Sequence, residues 1–269
     1  MSALYLEKIV SSYCLRESVL RSAIRTLSFP KGSRGLDVGC GAGKQCLWLA
    51  EEIGPGGHVT GLDISAEFLE YGRKFANNAG LAEQVSFKEG RAEAIPFDND
   101  SFDWVLSVDC VGYGPWEPIP LLEEFKRVTK PGGTIAILAW SSERLLPGYP
   151  LLEAKLSATA SGLAPFSNDM DPSRHFPRTL GLLRKLGIEQ THARVFSGSA
   201  HAPLSNDLYA ALRELIKMRW PGSEKELSMD ERVEFERLCK PESLDFILDH
   251  PDYYAFFTYS MFCGTVCSP

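Results

Sequence analysis

With 269 residues, 44% hydrophobic and 23% charged, the chain has the make-up of an ordinary globular protein and the length for one large domain. Lysine and arginine number 28 against 35 aspartates and glutamates, a formal charge of -7, so nothing draws it generally to phosphate backbones and nucleic acid is not an expected partner. Glu7, Lys8 and Arg16 interrupt the apolar pattern of the N-terminus, which lacks the order of a signal peptide, and no apolar run reaches the roughly 18 residues of a membrane span.

Leu6, Ile9, Val10, Tyr13, Leu20, Ile24 and Leu27 recur at three- and four-residue steps, predicting one or two amphipathic helices that end at Phe29-Pro30. A short strand over 34–38 leads into the turn Gly39-Cys-Gly-Ala-Gly43 and a helix opening at Gln45. Glycine at every second position lets the backbone bend tightly and approach a ligand, whose polar groups then meet the N–H groups of a helix start. Gly54 to Gly57 is a loop, 58–63 a second strand, and Ser65 caps a helix reaching Asn78 with Gly80 as its stop. A third strand near 85–87 precedes the loop 90–97 and the acidic turn 98–100; a fourth covers 102–108. A helix over 118–129, the loop 130–133 and a fifth strand over 134–140 complete a β/α alternation whose default is a parallel sheet.

Beyond Trp140 the spacing predicts a helix over 151–163, a loop over 165–177, a helix over 179–186 and a sixth strand over 188–196. Helices follow over 205–219 and from the capping box Ser228 to Glu231 onward to Lys240, before a final strand over 252–266. About 50 residues between strands six and seven thus form a helical insertion, longer than an ordinary connection. The seven cysteines are odd in number and have no CxxC spacing, which fits a reduced, cytoplasmic chain without a metal site.

The glycine turn admits three readings. A P-loop fails, because Val38 stands where its leading glycine belongs and Gln45, not Ser or Thr, follows Lys44. A dinucleotide fingerprint is weakened but left open: its third glycine should come three places after the second, where Lys44 stands. The third reading rests on an ordered set: Leu36-Asp-Val-Gly-Cys-Gly-Ala-Gly43, Asp63 ending strand two, Glu93-Ala-Ile-Pro-Phe97, Ser101-Phe-Asp-Trp-Val-Leu-Ser107 and Arg127-Val-Thr-Lys-Pro-Gly-Gly133. Together, over residues 34–140, these resemble the class I S-adenosylmethionine-dependent methyltransferases, and within them the small-molecule, ubiquinone/menaquinone methyltransferase-like group.

The resemblance implies a Rossmann-like, seven-stranded, mostly parallel sheet with an antiparallel last strand, N-terminal helices and the helical insertion between strands six and seven. As a single domain, it would comprise a helical cover at 1–30, a cofactor-binding core at 34–140, the rest of the sheet at 141–200 and 251–269, and a substrate-covering insertion at 201–250. It further implies S-adenosylmethionine as cofactor, with Gly39, Cys40, Gly41, Gly43 and Gln45 wrapping its methionine part and Asp37 orienting the loop and helping to hold the amino group. Asp63 would accept from both ribose hydroxyls beside Ile64, Ala92 and Glu93 would edge the adenine, and Asp109 would floor the methyl group. Arg91 departs from the pattern, since many relatives carry Asp there; it reads as a solvated or ion-paired residue.

Methyl transfer from a sulfonium disperses charge and needs positioning and water exclusion more than a strong acid. A base matters only for an acceptor that must lose a proton, and the candidates are Asp109, Tyr113, His175 and His201. Tyr5, Tyr13, the 113–116 segment, Tyr149, Tyr209, Met218 and Trp220 form a candidate cover suited to a small apolar or aromatic acceptor. A catalytically silent binding partner of the same fold and a nicotinamide-dependent oxidoreductase remain as alternatives.

Overall fold

The computed structural model describes residues 3–111, 117–164 and 171–267. Its N-terminal periodicity forms a single helix, α1 (Ala3–Leu27), and the chain then alternates through β1 (Arg34–Val38), α2 (Lys44–Ile53), β2 (His58–Asp63), α3 (Ala66–Asn78), β3 (Val85–Glu89), β4 (Phe102–Val108) and α4 (Pro118–Val128). Next come β5 (Thr129–Arg144), α5 (Pro150–Ser157), α6 (Ala160–Leu163), α7 (Thr179–Lys185) and β6 (Ile188–His201). The last elements are α8 (Asn206–Arg219), α9 (Met229–Cys239) and β7 (Tyr254–Val266).

The strands make one seven-stranded sheet in the order β3-β2-β1-β4-β5-β7-β6. β1 pairs in parallel with both β2 and β4, while β7 runs antiparallel to β5 and β6. The chain therefore winds outward from β1 on one side, then returns to start the other half beside it. Between β1 and β4 the loops diverge, and this reversal leaves a crevice outside the carboxyl ends of the strands.

The central strands β1, β2, β4 and the middle of β5 are buried on both faces, as parallel strands require, whereas the edge strand β6 is largely exposed. Along β5, Ala136 and Leu138 join one apolar cluster with α1, α2, α3 and α8, whereas Ile135, Ile137 and Ala139 join the other, with α4 and α7. The two-residue period of a strand thus divides a continuous apolar run between two cores.

Some sequence boundaries move for local reasons. The expected loop at 130–133 is a bulge within β5: Phe102 pairs with Thr129 but Trp104 with Thr134, so the intervening residues loop out of register. The expected helix over 151–163 is broken at Thr159, whose hydroxyl accepts from Gly162 N–H and starts α6. Strand six continues to His201 because residues 192–201 pair without a break with β7.

Close packing beneath the crevice depends on Gly35. Trp104 lies across it, stacked on Phe29 at 4.1 Å and donating its indole N–H to Ser33 Oγ at 2.9 Å. A Cβ on residue 35 would sit 1.9 Å from the indole ring. Gly35→Ala is expected to lower stability by about 3 kcal/mol through displacement of this ring, measured as a shift of the urea midpoint with an unchanged slope. A loss below ~0.5 kcal/mol would show that the ring moves freely.

Candidate active site

The crevice at the β1/β4 reversal opens into a cavity of about 510 Å3. Its floor begins at the glycine corner. Gly39 and Gly41 have φ of 76° and 55°, in the left-handed region that favours glycine. A Cβ on Gly39 would also lie 2.8 Å from the Cys110 sulfur, whereas one on Gly41 would meet nothing within 4 Å and would fill open space. Gly39 and Cys40 both donate N–H to Leu62 O, at 2.8 and 3.0 Å, fastening the turn to the end of β2.

Asp63 completes the corner. Its Oδ2 accepts from Gly41 N–H at 2.9 Å and its Oδ1 from Ser65 N–H at 2.9 Å. Each carboxylate oxygen keeps a further lone pair, so the half-buried side chain has room for two more donors. A pair of vicinal hydroxyls supplies that number.

Gly39, Cys40, Gly41, Gln45, Asp63, Ile64, Ala92, Glu93 and Asp109 all border the cavity. Asp37 and Gly43, from the same expected set, do not. Asp37 lies wholly buried in β1 behind the corner, accepting from the Cys46 thiol at 3.2 Å on one oxygen while the other has no partner. Burial pushes its carboxyl up to about 7, against the pull of the Cys46 thiol and with a further push from the Asp63 charge. Gly43 faces away, where a Cβ would meet Phe87 at 2.4 Å; its role is to let α2 pack against the β3 side. Arg91 also stands off the cavity, paired with Glu93 at 2.5 Å. Glu93 itself borders the cavity.

The thiols in the wall are not nucleophiles. Burial raises the Cys40 and Cys46 thiols and pushes Cys110 up to about 11, so all remain protonated near neutrality. No group of three or more histidine, cysteine or carboxylate side chains is placed to hold a metal among the described residues.

Asp109 follows β4 directly, with φ of 52°, unusual for a residue with a side chain. Its Oδ1 accepts from Trp140 N–H at 2.8 Å; its Oδ2 accepts from the Tyr259 hydroxyl at 2.8 Å and from Arg16 at 3.3 Å. Three of roughly four lone-pair sites are thereby taken, which suits a positioning residue better than a proton acceptor. His175 and His201 lie outside the cavity lining, the first beside Phe176 and the second bonded through Nδ1 to Ala202 O. Tyr113, and the 113–116 segment with it, lies outside the described residues.

The roof is built by α1 and α8, which pack on each other and contribute Tyr13, Leu20, Leu215 and Met218. Of the expected cover, Tyr13 and Met218 are there. Tyr149 is instead bonded to Arg237, Tyr209 to Asp249, and Trp220 is buried within the insertion. The Tyr5 side chain falls outside the described part. The aromatic walls come from Trp140 and Tyr259, on β5 and β7, and the roof carries Arg16 and Glu214. Of these, only Arg16 left a trace in the sequence: it lies three residues after Tyr13 and four before Leu20, on the buried stripe of α1.

The seven-stranded sheet is Rossmann-like in its order, and residues 36–133, rather more than a third of the chain, match the family model described as "Methyltransferase domain". Among curated proteins, the demethylmenaquinone methyltransferase of Listeria welshimeri is 36% identical over 156 residues, covering 53% of this chain and 63% of the relative. The chain thus spans less than two thirds of that relative's length. The demethylmenaquinone methyltransferase of Bacillus subtilis is 27% identical over 226 residues, 73% of this chain and 92% of the relative. A solved SAM-dependent methyltransferase from Aquifex aeolicus superposes with a TM-score of 0.53 at 22% identity, over 72% of this chain and 92% of that one, a likeness of fold.

Proposed function

We propose that this protein is an S-adenosylmethionine-dependent methyltransferase acting on a small apolar or aromatic molecule. The observation that carries this reading is the joint geometry of Gly41 and Asp63: an open glycine cradle whose N–H orients a carboxylate with two acceptor positions to spare. A ribose diol fits those positions, and the volume of about 510 Å3, bordered by both Glu93 and Asp109, gives room for a nucleoside together with the group it carries. The two demethylmenaquinone methyltransferases favour an aromatic-ring acceptor of the menaquinone type.

When bound, the cofactor supplies an electrophilic methyl group on a sulfonium. Asp63 would hold the ribose hydroxyls, Ile64, Ala92 and Glu93 would border the base, and the backbone at Gly39 to Gly41 with Gln45 would hold the amino-acid end; all of these residues line the cavity. Asp109, fixed by three donors, walls the reacting end. Leu20, Leu215 and Met218 exclude water from above, which strengthens every polar contact within. Catalysis by such a site is alignment of acceptor and methyl group rather than acid chemistry.

S-adenosylhomocysteine, at a hundred-fold excess over its Kd, is expected to raise the melting temperature by about 5–10 °C, while NAD and NADP leave it unchanged. A shift with the nicotinamide nucleotides and none with either methionine cofactor would overturn the assignment in favour of an oxidoreductase. Binding of S-adenosylmethionine without methyl transfer to any of a broad set of ring hydroxyl, ring carbon and amine acceptors would point to a silent partner protein.

A further inference from the structure

We propose that Arg16 anchors an ionised oxygen on the acceptor, so that the cavity selects small aromatic or enolic rings bearing an acidic hydroxyl. The inference rests on the methyltransferase reading and goes beyond it to the chemistry of the second substrate.

Arg16 is the one lysine or arginine among the described residues that line the cavity. It enters from the roof on the buried stripe of α1, with its side chain only 18% exposed. Nη2 donates to Ser12 Oγ at 2.9 Å and Nη1 to Asp109 Oδ2 at 3.3 Å, with the Tyr259 hydroxyl also in reach and the guanidinium 5.3 Å from the Tyr13 ring. Two features show that this arrangement is incomplete. The contact to Asp109 is long for a charge-assisted bond, which ordinarily runs to about 2.7–2.9 Å. And Arg16 Nε is buried with no hydrogen-bond partner.

Asp109 does not need Arg16 to be satisfied, because Trp140 N–H and the Tyr259 hydroxyl both reach it at 2.8 Å. The Arg16–Asp109 contact is therefore the weakest link of the cluster and the one a ligand anion can replace. The planar fork of Arg16, Nε with one Nη, matches two lone pairs of an oxygen anion, while the Tyr13, Trp140 and Tyr259 rings around it suit an aromatic body. A cationic amine finds no equivalent. Of the carboxylates at this end, Asp109 is held by three donors, and Glu214 lies 3.1 Å from Lys217 and 3.6 Å from Arg213.

The test uses two ring probes of nearly equal shape, 2-hydroxy-1,4-naphthoquinone, whose hydroxyl is ionised at neutral pH, and 2-methyl-1,4-naphthoquinone, which is neutral. Each is titrated calorimetrically into the full chain, with and without S-adenosylhomocysteine. The wild type is expected to prefer the hydroxy compound about tenfold, Arg16→Met to lose the preference, and Arg16→Lys to keep part of it. Binding of S-adenosylhomocysteine stays within about threefold in both variants, which also reports that they are folded. Equal binding of the probes by wild type, or an unchanged preference in Arg16→Met, overturns the anchor while leaving the cofactor reading intact. An Arg16-dependent preference without S-adenosylhomocysteine binding supports the anchor and overturns the cofactor assignment.

Discussion

Asp63→Ala should weaken binding of S-adenosylhomocysteine by at least ~100-fold, beyond detection in a thermal-shift assay. Two hydrogen bonds from ribose hydroxyls to a carboxylate contribute ~1.5–3 kcal/mol each, so losing both corresponds to two or more decades in Kd. The substitution also removes the acceptor for Gly41 N–H and Ser65 N–H, loosening the turn and the start of α3. Asp63→Asn separates the two contributions. Its single carbonyl keeps one acceptor, and its amide group opposes a backbone donor, so affinity should fall by an intermediate factor, about tenfold, with a drop in the melting temperature of the ligand-free protein smaller than that of Asp63→Ala. If Asp63→Ala binds S-adenosylhomocysteine within fivefold of wild type by calorimetry, the ribose does not sit on this carboxylate.

The second large effect concerns a carboxyl that touches no ligand. Asp37 keeps its proton to about pH 7 in the folded chain, whereas the unfolded chain releases it near 3.8. Between those values the folded state binds more protons, so stability contributed by this group falls as pH rises through the window and is constant above it. The accumulated loss is roughly 4 kcal/mol by pH 8. Asp37→Asn carries no charge to bury. It should match wild type near pH 4 and exceed it by several kcal/mol at pH 8, in urea unfolding at the two pH values. A difference that is the same at both would refute the titration. The stabilised variant should bind S-adenosylmethionine less tightly, since the anion beneath the glycine turn favours the cofactor's positive charges, a trade of function against stability.

How much of this was legible beforehand differs between the two halves of the cavity. Glycines at 39, 41 and 43, Asp63 and the alternation of strands with helices act through local rules, backbone conformation and nearest-neighbour pairing, and so they show in the sequence. The Asp37 position was legible, but its burial behind the corner was not, because an aspartate between two apolar strand residues reads the same whether it faces ligand or core. The acceptor half resisted for a different reason. Trp140 and Tyr259 meet because β7 inserts between β5 and β6, a pairing across more than a hundred residues that no local pattern encodes. The histidines attracted notice for their chemistry alone, and the fold puts His175 and His201 elsewhere. Met218 and Tyr13 faced the cavity as expected, while Tyr149 and Tyr209 found polar partners on other surfaces.

The roof of α1 and α8 joins segments from opposite flanks of the chain, whereas the floor is drawn from one contiguous stretch between β1 and β4. Floor and roof can therefore change independently during descent. Substitutions in α1 or α8 change the roof while leaving the glycine corner and Asp63 in place. The same division orders assembly: short-range β/α contacts can form the floor first, and the chamber becomes dry only when its two distant lids meet.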